Sequence, residues 1–266
     1  MTASPREVTG VVGVDRVRSG TRWWIDGYAS MLRWDVASLR EQLPFFVIIQ
    51  MMLGAGMALM YGFYFTDIPP VAATYISTGA PVLAIIPVGM TMVPSLVIQQ
   101  RFEQTYDFLW SLPVPRLATM LSNLTVFTLI SLPGVAITLG VAAWRYDIDL
   151  AVTWDVVPAV LLSSVMGVAV GFSFAHAIRE PRLANLVVNL IIFFVTLFSP
   201  IAFPIENFPE WFASVHRVLP FYAMAQTVRE GLTEGLATDV ARSYLVLTAW
   251  AVAGWTIAAR VVGRRS

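Results

Sequence analysis

Six long apolar runs divide the chain, near 44–65, 76–98, 117–143, 156–178, 183–203 and 244–262, with polar segments of very different length between them. Each run reaches the ~20 residues that a helix needs to cross a hydrocarbon layer about 30 Å thick. The first reads "FFVIIQMMLGAGMALMYGFYF" and carries no charge. The fifth, "LANLVVNLIIFFVTLFSPIAF", holds Pro200 near its end, where a missing backbone donor should break the helix. The pattern predicts an all-α integral membrane fold with six transmembrane helices.

Two further segments follow helical periodicity without being spans. In 22–43, Trp24, Tyr28, Leu32, Val36 and Leu39 share one face, while Asp26, Arg33, Arg40 and Glu41 fall on the other. A tryptophan- and arginine-rich amphipathic helix of this kind lies in a membrane interface; a helix packed on protein is the alternative. The segment 205–243 is too apolar for a solvated loop. Pro209 reads as a first-turn proline and Pro220 as the break between two short helices. Such helices re-enter the outer leaflet, shielded by protein. The chain is then one transmembrane domain over 1–266: a tail and interfacial helix (1–43), five spans (44–203), outer re-entrant helices (204–243), and the last span with a short tail (244–266).

Charge orients this arrangement. With the N-terminus inside, the inner segments and rims hold thirteen of the seventeen arginines, as the positive-inside rule requires. Both termini are expected in the cytoplasm, and no cleavable leader precedes the first run. Composition agrees with a lipid solvent: 57% of residues are hydrophobic and 13% charged, against about 45–50% and about 25% in soluble domains. All basic residues are arginine, a bias that points to a GC-rich bacterial genome and the cytoplasmic membrane. A net charge of zero gives no reason to expect nucleic acid. Without cysteine there is neither a disulfide framework nor a thiolate metal site.

Without lysine the chain cannot form the usual phosphate-binding P-loop. No Asp or Glu lies inside the runs, which disfavours proton or sodium coupling. His176 and His216 have no carboxylate beside them in sequence, so no catalytic or metal constellation is expected. Ser163, Gly167, Gly171 and Ala175 recur every fourth residue and allow close helix approach, within the chain or between two copies. Met51, Met52, Met57, Met60, Met90 and Met92 enrich the first two spans in flexible thioethers, which suit either a pocket for varied apolar molecules or lipid-facing filler.

The stretch "RFEQTYDFLWSLPVPR" (101–116) plots as a short amphipathic helix over 101–112. Phe102, Tyr106, Leu109 and Trp110 lie on one arc, and Pro113 and Pro115 stop it before the third span. It resembles the loop after the second span in ABC-2 type permeases of bacterial, multidrug-exporter-like ABC transporters. The matching positions are Glu103, Thr105, Leu109, Leu112–Pro113 and the basic Arg116, with Gln104 where that pattern has glycine. The region 199–232 also resembles the family's tail, through Ser199, Pro200, Pro204, Pro209, Trp211, Pro220 and Arg229.

The resemblance implies a coupling helix docked on a separate ABC ATPase subunit, through Arg101, Glu103, Thr105, Phe108, Leu109, Leu112, Pro113 and Arg116. Arg179 and Glu180, in the short loop "IREPRLAN" (178–185), form a second contact. It further implies two ATPase copies carrying ATP and Mg, a second permease copy, identical or homologous, and surrounding lipid; no cofactor binds this chain itself. Spans two and five would line the pathway, which selects Asn189, Phe193, Thr196 and Met90. The weakly polar lining implies export of a drug, antibiotic or lipid-like substrate. Export of a lipid-linked glycan is the rival within the class, and a non-transporting membrane scaffold or enzyme the rival outside it.

Overall fold

The computed structural model describes residues 20–64, 68–148, 150–178 and 180–263. All regular elements among them are helical. Helix α1 (Thr21–Leu39) leads into α2 (Leu43–Tyr64). Helix α3 (Pro70–Pro87) runs through a π-helical turn at Val88–Met92 into α4 (Val93–Phe102). The short α5 (Thr105–Ser111) bridges to α6 (Arg116–Tyr146), followed by α7 (Val156–Ala177) and α8 (Pro181–Phe198). After a 3-10 turn at Ile205–Asn207 come α9 (Glu210–His216), α10 (Pro220–Leu232) and α11 (Val240–Gly263).

Five segments are long and apolar enough to cross a membrane: Leu43–Tyr64, Pro70–Phe102, Arg116–Tyr146, Val156–Ala175 and Val240–Arg260. They coincide with five of the six runs, with shifted ends. The second begins at Pro70, where a proline suits the first helical position. The third continues to Tyr146, so that Arg145, expected in an outer loop, sits in its last turn. The remaining run is shorter as a helix than as a sequence. Helix α8 has 18 residues, about 27 Å at 1.5 Å per residue. It ends before Ser199–Pro200, leaving 199–203 non-helical.

Small residues let the spans cross closely. The π turn, in which the Val93 N–H reaches the Val88 carbonyl, lies just ahead of Pro94, a residue with no N–H of its own to bond. It places Gly89 against α7, where a Cβ on Gly171 would collide with the Gly89 carbonyl. Ser163, Gly167, Gly171 and Ala175 are all buried, so the small-residue row packs within the chain. Polar bolts supplement it. Gln50 Nε2 donates to the Ile130 carbonyl at 3.1 Å, and Ser131 and Ser164 pair at 2.9 Å.

The apolar side chains form two main clusters stacked along the bundle. One, near the α9–α10 end, includes Leu83, Met166, Phe221, Met224 and Leu247. The other, near the α1 end, includes Leu39, Met92, Phe127, Phe172 and Ala258. Helix α1 packs along α6, but its buried face is not the expected one. Met31, Asp35 and Leu39 are buried, Tyr28 is hydrogen-bonded to Thr125 at 2.8 Å, and Val36 is exposed. The stripe is rotated toward Asp35 because that carboxylate has a partner on α6.

Candidate functional site

The candidate site is the end of the bundle where α4 turns into α5 and α7 into α8. The expected single helix over 101–112 is two pieces. Arg101 and Phe102 form the last turn of α4, Glu103 follows it, and Gln104 takes a left-handed conformation (φ 58°) before α5 begins at Thr105. A left-handed corner favours glycine, which has no Cβ to crowd the carbonyl. Leu112 is extended, the Val114 N–H closes on the Leu112 carbonyl, and Pro115 precedes Arg116, the first residue of α6.

Arg101 carries the junction. Its Nη1 donates to the Ile178 carbonyl at 3.3 Å, where α7 has just ended in an extended residue. The two stretches that the resemblance assigns to the ATPase, 101–116 and 178–185, therefore meet in space. Glu180 is exposed at the start of α8, while Arg179 and the side chains of His176, Tyr106 and Trp110 lie outside the described residues. Glu103 is exposed and accepts from Gln99 Nε2 at 2.8 Å. Phe102 and Phe108 are 69% and 56% exposed, and they form an open aromatic surface among the described residues. Thr105, Leu109 and Leu112 are half-buried, and Pro113 and Arg116 are exposed.

Helix α1 docks on the same junction. A Cβ on Gly27 would lie 3.0 Å from Pro115 Cδ and 3.2 Å from Val114 Cγ1, so glycine permits the close approach. Beside this joint is a cavity of about 490 Å³ lined by Arg22, Trp23, Asp26, Ser30, Pro113 and Val114. Deeper in, the Ser122 hydroxyl donates to Asp35 Oδ2 at 2.6 Å. Burial raises the Asp35 carboxyl to about 6, partly offset by that hydrogen bond.

The proposed pathway residues differ in exposure. Asn189 and Phe193 are exposed on α8 and Thr196 is half-buried one turn on, among the exposed Leu186, Leu190 and Leu197. Met90 is buried in the same apolar cluster as Val195, Ile191 and Ile192 of α8. It lies in the π turn, 4% exposed, in the apolar cluster with Leu83 and Met166, because the i→i−5 turn directs that segment toward α7.

The opposite end contains a residue whose setting sequence reasoning missed. Arg229 on α10 is fully buried. Its Nε donates to Thr78 Oγ1 at 3.1 Å, its Nη2 to the Ile201 carbonyl at 2.8 Å, and its guanidinium stacks 4.1 Å from the Tyr75 ring centre. Burial lowers its pKa to about 10, so it stays cationic at neutral pH. One guanidinium thus ties α10 to α3 and to the break after α8. No local pattern announces this burial, because Gln226, Thr227, Arg229 and Glu230 read as the ordinary polar arc of an amphipathic helix. Among the described residues no group of three or more His, Asp or Glu gathers to hold a metal ion. His216 is buried, with its Nδ1 3.0 Å from the Phe212 carbonyl.

A bundle of membrane-crossing helices whose polar elbows meet at one end is the architecture of a multi-pass membrane protein. The chain matches the family model described as ABC-2 family transporter protein over residues 68–260, and it belongs to that family. It is a multi-pass membrane protein and the permease component of an ABC transporter. A search of curated proteins finds no match.

Proposed function

We propose that the chain is the permease of an ATP-driven exporter in a bacterial cytoplasmic membrane, with α5 as the helix through which a separate ATPase subunit drives it. Two ATPase copies, carrying ATP and Mg, work beneath two permease copies, identical or homologous. The chain crosses six times, with α8 as the fifth span, both termini in the cytoplasm, and α9 and α10 re-entering from outside to cap the exit. The cargo is hydrophobic or amphipathic, and the apolar, weakly polar face of α8 around Asn189 and Phe193 supports this reading.

The observation that carries the proposal is the Arg101–Ile178 hydrogen bond. Force applied to α5 reaches α6 directly through Arg116, and reaches α4 through the Gln104 corner. Arg101 then passes it to the α7–α8 junction, so one push moves several spans together. Closure of the ATPases on ATP shifts the bundle between inward and outward access by favouring one of two packings.

Co-purification of the full chain with an ABC ATPase subunit from the same cell tests the assignment. Glu103→Arg and Phe108→Asp alter exposed side chains, whereas half-buried Leu109 is a less clean choice. Both variants are expected to remain folded and to lose the ATPase and transport. Unchanged assembly and transport in both would overturn α5 as the coupling element.

A further inference from the structure

At the end of the bundle opposite α5, three spans finish around one polar cavity. Helix α2 ends at Tyr64, α3 begins at Pro70 and α6 ends at Tyr146. The cavity, of about 460 Å³, is lined among others by Ile68, Pro70, Thr74, Arg145, Tyr146 and Asp147. Its rim is fixed from within. Arg145 Nη2 donates to the Gly62 carbonyl and the Tyr146 hydroxyl to the Ala58 carbonyl at 2.6 Å, which satisfies carbonyls in the last turns of α2. The bond to Gly62 uses one of the five donors that a guanidinium carries.

The surroundings set the depth of this cavity in a bilayer. Phe63, Tyr64 and Trp144 are all more than three-quarters exposed, an aromatic ring of the kind found at membrane–water interfaces. Phe63 also lies 5.9 Å from the Arg145 guanidinium carbon. A cavity at the common end of three spans, inside such a ring, sits at headgroup level. Among the described residues its wall carries one cation, Arg145, and one anion, Asp147, two residues apart. Basic pockets between spans take phosphate headgroups, and an adjacent carboxylate adds a demand for a primary ammonium.

We infer that this cavity binds the zwitterionic headgroup of a phosphatidylethanolamine-type lipid, with the phosphate on Arg145 and the ammonium on Asp147. The exposed Phe63 supplies an apolar wall for the glycerol and upper acyl carbons. The inference does not depend on the direction or cargo of transport.

Native mass spectrometry of the purified full chain, titrated with phosphatidylethanolamine and with phosphatidylglycerol of matched tails, tests it. The wild type is expected to retain the ethanolamine lipid about fivefold better, the scale of one partly exposed ion pair. Asp147→Asn carries the decisive comparison. Asp147 is left-handed (φ 48°), and asparagine tolerates that conformation, so the backbone is kept while the charge is removed. The preference should then fall to near unity with thermal stability unchanged. Arg145→Gln should lose both lipids. Equal retention of the two lipids by the wild type, or an Asp147→Asn protein with intact preference, would overturn the assignment. Displacement of bound lipid by free phosphoethanolamine at equal concentration would likewise overturn the lipid source in favour of a soluble ligand.

Discussion

Two short helices connect spans at opposite ends of the bundle, and they treat their side chains in opposite ways. Helix α5 leaves Phe108 open and is flanked by the exposed Phe102, Glu103 and Pro113. Helix α10 buries nearly everything it has, including Arg229, between α3, α7 and α11. Both are rich in aromatic and apolar residues and both lie beside prolines. The difference lies in what surrounds them. A helix wedged among three spans can satisfy a buried cation internally, through Thr78, the Ile201 carbonyl and the Tyr75 ring. A helix held at its two ends keeps its surface for something else. Arginine at the α10 end ties the bundle together, while at the α5 end the exposed residues suit recognition.

The largest expected effect breaks this contrast at its buried side. Arg229→Leu leaves the Ile201 carbonyl without its partner, at about 1–3 kcal/mol, while the Thr78 hydroxyl loses one donor but still donates to the Thr74 carbonyl at 2.7 Å. With the stacking on Tyr75 also gone, a loss of roughly 2–4 kcal/mol should appear as a large drop in Tm in lipid nanodiscs. Arg229→Lys should recover little, because an ammonium cannot reproduce the guanidinium fork or its stacking. Phe108→Asp, by contrast, should stay within about 0.5 kcal/mol of the wild type, as exposed substitutions do. Equal losses for the two would erase the distinction between the ends.

Next in size is the crossing of the π turn with α7. Gly171→Leu sets a side chain where even a Cβ meets the Gly89 carbonyl, and overpacking of this kind costs about 1–3 kcal/mol. Gly140→Ala is the control, since a Cβ there meets nothing within 4 Å. It should be neutral or slightly stabilising in the same melt.

Much of this architecture was legible in the sequence, and the misses have physical causes. Long charge-free runs identify spans because no other solvent accepts them, and five of the six runs became helices able to cross. The fifth run ends early as a helix because Pro200 keeps Ile201, Ala202 and Phe203 from continuing α8, the break that its position in the run predicts. The helix over 101–112 was assigned by periodicity, which cannot see a corner made by one residue, Gln104. Asp35 rotated the buried face of α1 because a carboxylate scores as polar whether or not a serine waits for it. The stretches 101–116 and 178–185 lie far apart in sequence, and the Arg101–Ile178 bond that joins them spans 77 residues, so no local pattern encodes it.

Asp35 gives a pH-dependent test of how α1 is held to the α5 end. Its carboxyl is raised by burial from an ordinary 3.8 to about 6, so the folded chain binds this proton more tightly than the unfolded chain. The contribution of Asp35 to stability is therefore greatest below about pH 4 and declines as pH rises to about 6. Asp35→Asn keeps a side-chain oxygen for the Ser122 hydroxyl and removes the charge. It should flatten the profile between these limits and raise stability at pH 7 by on the order of 2 kcal/mol. The measurement is Tm against pH for both proteins. An unchanged slope would mean that Asp35 is solvated and that α1 is held by Tyr28, Met31 and Leu39 alone.

The smallest expected effect sharpens the contrast at its exposed side. Gln104 occupies the left-handed corner between α4 and α5, where the related permeases carry glycine. A non-glycine residue in this conformation costs roughly 1 kcal/mol, so Gln104→Gly should relieve that strain. The gain is partly offset because glycine has more freedom to lose on folding, by roughly 0.5–1 kcal/mol, and the net change in Tm should be slightly positive or near zero. At a helical position of ordinary negative φ the same substitution would lower Tm. Coupling is the more informative readout. If the corner transmits load because it is stiff, Gln104→Gly should lower transport per ATP hydrolysed while the ATPase stays bound. Gln104→Asn, which tolerates the left-handed region with a side chain retained, should restore it. Loss of the ATPase from Gln104→Gly would instead mean that the corner shapes the docking surface itself, and that α5 is recognised in one fixed orientation relative to α4.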